Sequence, residues 1–163
     1  MKPALKKWLP LSLFTAAIVA ADQITKALVR DNIPYGGNVK LIPGVLRLTY
    51  VRNTGAAFSM LSGARWLFLA LVLIFFVLLA VLIRKRILSK PAELWALAAI
   101  SGGAIGNAID RAAAGEVTDM IEPLFMHFAV FNVADIFITC GAVFLVVYLL
   151  FFDREETKKR EEK

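Results

Sequence analysis

Residues Trp66 to Ile83 read WLFLALVLIFFVLLAVLI, eighteen residues without a single charge. At about 1.5 Å per residue, a helix of that length crosses most of a bilayer core of about 30 Å. Working outward, Leu94 to Ile109 gives sixteen more uncharged residues and Ile136 to Phe152 seventeen. Trp8 to Ala21 gives fourteen and extends through Asp22 and Lys26 to Val29. These blocks predict four transmembrane helices over 8–29, 64–83, 92–111 and 131–152. The chain has 163 residues, one domain by length, and is 59% hydrophobic, above the roughly 45–50% of soluble domains. A disordered chain, a collagen-like chain and a disulfide scaffold are excluded. Cys140 is the only cysteine and His127 the only histidine, which excludes an intrachain disulfide, a paired-histidine zinc site and a four-cysteine cluster.

The first block has two readings. Lys2, Lys6 and Lys7 before Leu9–Ala20, with Val19-Ala20-Ala21 behind, also form a signal peptide with a small-residue cleavage site. Local features leave cleaved peptide and retained helix level. Orientation follows Lys and Arg. The segment before span one, the turn Arg84–Lys90 and the tail 153–163 hold twelve of the nineteen basic residues. With four spans they share one side, which is expected to be cytoplasmic. The excess of basic residues is then a topology signal, without the aromatic and basic surface that nucleic acid requires.

Two segments face outward. In the longer, about 30–63, Val39–Ile42 and Val45–Val51 flank the turn dipeptide Pro43-Gly44, and Leu46, Leu48 and Tyr50 alternate with Arg47 and Thr49. A small extracytoplasmic β-sheet platform is expected there. The segment Gly55–Leu61 reads as a surface helix or a re-entrant turn. The other, Ala112–Val130, reads as an outer loop between helices three and four. The fold class is thus an all-α membrane protein, a four-transmembrane-helix bundle with that platform. Its 163 residues form a single membrane domain with a cytoplasmic tail.

An ionised side chain at mid-membrane costs roughly 2.5–3.5 kcal/mol on insertion scales. This chain has three polar sets at helical spacing: Asp22 and Lys26; Asn107, Asp110 and Arg111; Asn132, Asp135 and Thr139. Each shares one helix face, and the topology places all three near the outer surface. Asp22 with Lys26 reads most simply as an intrahelical ion pair, and Asp110 with Arg111 as an interfacial anchor. Gly102, Gly103 and Gly106 read as close helix packing. Asn53 and Asn132 can be satisfying loop carbonyls. Asp135 has no basic residue within four positions, and Asp119 in the outer loop likewise lacks one nearby. A loop folded back over span four would let the two carboxylates share a proton, the arrangement for acid–base peptide hydrolysis. From sequence separation alone, two unrelated polar residues is the simpler reading.

Five blocks in order decide between these readings: Asp22-Gln23-Ile24-Thr25-Lys26; Asn53-Thr54-Gly55-Ala56-Ala57-Phe58; Gly102 through Arg111; Val117-Thr118-Asp119; and Phe131-Asn132-Val133-Ala134-Asp135. With the four-span profile, the chain resembles bacterial lipoprotein signal peptidase (signal peptidase II), a family of membrane aspartyl peptidases. The resemblance implies a retained first span and a catalytic pair, Asp119 and Asp135. It places Asp22, Lys26, Asn53, Gly55, Asn107, Arg111 and Asn132 in the substrate-binding or site-supporting set. It implies a prolipoprotein substrate whose cysteine bears a diacylglyceryl group, cut on the amino side of that cysteine. Neither metal nor organic cofactor is implied. The expected setting is the bacterial inner membrane, with both termini cytoplasmic, the site near the periplasmic surface, lipids as neighbours and a monomeric enzyme. Family members often carry an aromatic residue where this chain has Met120, which bears on pocket shape. The rival class is a small transporter or proton relay built on the same carboxylates. A serine–lysine peptidase using Ser59, Ser62 or Ser101 is a further alternative. The two outer segments are expected to gate a cleft between the spans, with Cys140 a small packing residue and His127 at the interface.

Overall fold

In a computed structural model of the protein, residues 3–56 and 60–152 are described, with side chains from Trp8 onward. The basic residues Lys2, Lys6 and Lys7 as charged groups, Ala57, Phe58 and Ser59, and the tail 153–163 lie outside what is described. Helix α1 spans Pro3–Asn32, α2 Arg65–Arg84, α3 Pro91–Ala114 and α4 Val133–Val147, the last continued by a π-helical turn at Tyr148–Phe152. Among the described residues, these four helices are long and apolar enough to cross a membrane.

Helix α3 is the axis of the bundle. Its glycines let α1 and α4 approach to backbone distance. A Cβ at Gly102 would stand 2.8 Å from Ile18 Cβ and 3.2 Å from the Thr15 carbonyl, and one at Gly103 would fall on the Ala134 carbonyl oxygen. Gly141 of α4 answers from the other side, where a Cβ would stand 3.0 Å from the Ala96 carbonyl. Lipid tails are as apolar as leucine, so helices associate here by close packing and buried polar contacts rather than by the hydrophobic effect. Accordingly, 61% of the apolar stretch of α3 is buried within the protein, and none of α2.

Strands β1 (Asn38–Ile42) and β2 (Leu46–Asn53) form the expected hairpin. Pro43 and Gly44 make its turn: Gly44 has φ +73° and the Val45 amide donates to the Ile42 carbonyl at 3.0 Å, as a Pro-Gly turn of type II requires. The third strand was not expected. Val117–Pro123, read from sequence as loop, is β3, and pairs antiparallel with β2 from Leu46↔Pro123 to Asn53↔Val117. The two outer segments are therefore joined in one sheet, ordered β1-β2-β3. Its inner face packs Tyr50 and Met120 on Val29 and Ile33 at the end of α1. Sheet and bundle are thereby locked at one end.

Candidate active site

Two helix ends and one strand converge beneath that sheet. Gly115, left-handed at φ +80°, stops α3 just after Asp110 and Arg111 and turns the chain into β3. Alternation along β3 then separates neighbours: Asp119 lines a cavity while Met120 sits in the core against α1. Met120 does not line the cavity, so its difference from the family's aromatic residue does not act there directly. At the start of α4, Asn132 is the N-cap. Its Oδ1 accepts the Asp135 amide at 3.0 Å, and Asp135 Oδ2 accepts the Asn132 amide at 3.1 Å. This reciprocal capping box fixes Asp135 by helix geometry.

The cavity encloses about 450 Å³, and Asn53, Asn107, Arg111, Asp119, Asn132 and Asp135 all line it. Three asparagines hold the two carboxylates. Asn132 Nδ2 donates to Asp119 Oδ1 at 2.7 Å, and Asn53 Nδ2 to Asp119 Oδ2 at 2.8 Å. Asn107 Nδ2 donates to Asp135 Oδ1 at 2.7 Å. Asn53 in turn braces the segment after β2: its Oδ1 accepts the Gly55 amide at 2.9 Å. Arg111 donates to the Gly55 carbonyl at 2.8 Å and lies over the Phe68 ring, 4.4 Å from its centre. The anchor reading of Arg111 is thus replaced by a buttress between α2 and the segment after β2. The Asp119 carboxyl, only 3% exposed, is pushed up from the ordinary 3.8 to about 6. Burial is the main cause; the Asn53 amide pulls down, the Asp135 charge pushes up, and the Asn132 amide pulls down.

Behind the cavity lies a buried ion cluster. Lys26 Nζ reaches Asp22 Oδ2 at 2.8 Å and Asp110 Oδ2 at 3.1 Å, and donates to Asn107 Oδ1 at 2.9 Å. Asp110 pairs with Lys26, not with its neighbour Arg111. Asp22 also accepts the Ala134 amide of α4 at 3.0 Å, and Asp110 the Thr118 amide of β3 at 3.2 Å. The cluster therefore fixes the starts of both chain segments that carry the carboxylates. Gln23 was missed as a member: its Nε2 donates to Asp22, Asp110 and the Gly106 carbonyl, each within 3.2 Å. Its position beside Asp22 gave no signal of this. Phe68 was missed as well, hidden in an apolar run.

Every polar group in this network sits at the sheet end of the bundle, whereas a proton relay needs groups through the membrane. Lys26 is fully engaged and Ser62 shares a short hydrogen bond with Thr54, while Ser101 lines a different cleft. Cys140 is not a packing residue: it is exposed on the cavity wall. His127 is exposed in the loop after β3. Among the described residues, no three His, Cys, Asp or Glu side chains converge as a metal site.

The sequence pattern of the family described as Signal peptidase (SPase) II matches residues 14–151. The chain belongs to the signal peptidase II family. It is 39% identical over 145 residues to a lipoprotein signal peptidase of Listeria monocytogenes serotype 4a (strain HCC23), covering 88% of this chain and 94% of the relative. A lipoprotein signal peptidase of Lactococcus lactis subsp. cremoris (strain MG1363) is 39% identical over 157 residues, covering 94% of this chain and all of the relative. Among solved structures, one described as a bacterial membrane enzyme superposes with a TM-score of 0.84 at 31% identity, over 94% of this chain and 93% of its own. A second, described in the same terms, gives 0.79 at 32% identity, over 88% and 94%. As a signal peptidase II with four apolar helices, the chain is a multi-pass membrane peptidase.

Proposed function

We propose that the chain is an aspartyl endopeptidase that removes signal peptides from diacylglyceryl-modified prolipoproteins, cutting on the amino side of the lipidated cysteine. The observation that carries this reading is the placement of Asp119 and Asp135 on one cavity wall, bridged by Asn132. Asp119, with its raised affinity for a proton, holds the shared proton and passes it to the scissile carbonyl oxygen as the intermediate forms. Asp135, ionised, takes a proton from a water molecule as the water oxygen bonds to the carbonyl carbon. The tetrahedral intermediate collapses as the carbon–nitrogen bond breaks. The departing amine takes up the proton held on Asp135, and one intermediate hydroxyl returns its proton to the pair. One water is consumed, and the pair ends as it began.

Asn53, Asn107 and Asn132 orient the carboxylates, and Arg111 holds the Gly55 segment against the substrate backbone. Asp22 and Lys26 keep the two halves of the site in register. A lipid-anchored substrate stays in the bilayer, so its scissile bond arrives at the depth of the helix ends. The cleft below the pair, walled by Ile136, Thr139 and Cys140, accepts its apolar parts. In this reading the enzyme acts as a single-domain monomer in the bacterial inner membrane, with both termini cytoplasmic and the site on the periplasmic side. Purified Asp119→Asn and Asp135→Asn enzymes, assayed in detergent on a diacylglyceryl-modified prolipoprotein, should each lose cleavage while unfolding like the parent. Near-parental cleavage in either folded variant overturns the reading.

A further inference from the structure

A second cavity, about 560 Å³, lies between α1, α2 and α3 and shares no lining residue with the first. Its floor is one face of α1 from Trp8 through Thr15 to Gln23, sixteen residues or about 22 Å of helix. Leu79 and Ile83 of α2 form one wall, and Ala98 stands on the α3 side. At the end away from the sheet it meets a smaller hollow of about 340 Å³ through the shared residues Leu11 and Leu94, and that hollow opens at Ser89 and Pro91. The turn there carries Arg84, Lys85 and Arg86, none of them ion-paired among the described residues. Arg86 has φ +58°, a helix-stop conformation usually given to glycine.

We propose that this groove binds one membrane phospholipid with an anionic headgroup, an acyl chain lying along α1 and the phosphate facing Arg84, Lys85 and Arg86. The groove is apolar, lies in the membrane-crossing part of the bundle, and its adjoining hollow is lined by Ser89 and Pro91 of the α2–α3 turn, the turn that carries these three cations, without ion pairs among the described residues. An acyl chain is the slender apolar object the bilayer supplies. The site also has a use. Helix α2 has no buried residue, and at the sheet end it is tied by the Arg65 guanidinium on the Ala112 carbonyl and by Phe68 beneath Arg111. At its other end Leu79 and Ile83 face the groove, so a bound lipid completes the packing of α2.

The test uses the full chain, delipidated in neutral detergent and titrated with phosphatidylglycerol and with phosphatidylcholine, with native mass spectrometry and thermal unfolding as readouts. One tightly held phosphatidylglycerol that raises the melting temperature is expected. Replacing Arg84, Lys85 and Arg86 by Gln should weaken its preference over phosphatidylcholine about fivefold per charge. Where the triple variant fails to insert, Arg86→Gln alone should show the single fivefold step. Ala16→Phe, which fills the groove, should abolish lipid binding and leave prolipoprotein cleavage in place. Equal binding of the two lipids, or undiminished binding to Ala16→Phe, overturns the proposal. So does a raised KM in Ala16→Phe with lipid binding unchanged, which would give the groove to the substrate.

Discussion

Helices α2 and α3 are of similar length, 20 and 24 residues, yet they stand at opposite extremes of burial. The uninterrupted apolar helix, α2, buries nothing, while α3, diluted with Gly102, Gly103, Gly106, Asn107 and Asp110, is the centre of the molecule. In water the more apolar helix would be the core. In a bilayer the solvent is itself apolar, so polarity and small size, rather than hydrophobicity, mark the inside. The chemistry follows the same division: the proposed catalytic carboxylates are held by α3 and its neighbours, and α2 contributes a ring beneath Arg111.

The sharpest way to break this contrast is to disarm the buried cluster around α3. Lys26→Met keeps the shape but strands Asp22 and Asp110, both nearly inaccessible, and should cost about 3–5 kcal/mol, read as a fall in melting temperature in detergent. A melting temperature unchanged from the parent would mean that the cluster is not a structural centre. Gly103→Ala comes next. Its methyl group would fall on the Ala134 carbonyl, so α3 and α4 must separate, at about 1–3 kcal/mol or more, and cleavage should fall with stability because Asp135 moves with Ala134.

A smaller effect is expected on the pH profile. Because Asp119 is raised to about 6 and acts protonated in the proposed mechanism, kcat/KM should decline as the pH rises through that value. Asn53→Ala removes a hydrogen bond that pulls it down and should move the limb to higher pH; a limb that stays or moves lower would assign the proton elsewhere. The sign for stability agrees. A carboxyl raised in the folded state contributes most below its ordinary 3.8, and that contribution is lost as the pH rises through about 6. Smallest of all, Leu73→Ala on α2, whose side chain is 66% exposed to the space lipid fills, should stay within about 0.5 kcal/mol and leave cleavage intact. A large loss there would show that α2 packs more than the comparison allows.

Much of the site was legible before any coordinates. Asp22 and Lys26 at i and i+4, and Asn107 and Asp110 at i and i+3, could only share faces once helical. The Asn132–Asp135 spacing was also readable as a capping box, a signal that would have fixed Asp135 at a helix start without family resemblance. Strand β3 was harder. Val117–Ile121 has β-branched residues and alternation, but a strand needs a partner, and its partner β2 lies more than sixty residues away. The link from Lys26 through Asn107 to Asp135 was invisible for the same reason, since it runs across three helices.

Sequence by itself determined the four spans, the Pro-Gly hairpin and the family, because hydropathy, turn chemistry and ordered motifs are local properties that survive without packing. Only tertiary structure decided which span is central, that Asp119 faces the cavity while Met120 faces the core, and that the two carboxylates line the same cavity. Those facts depend on contacts between distant segments. Such contacts form only where glycine lets backbones close and where asparagine and lysine satisfy the charges enclosed between them.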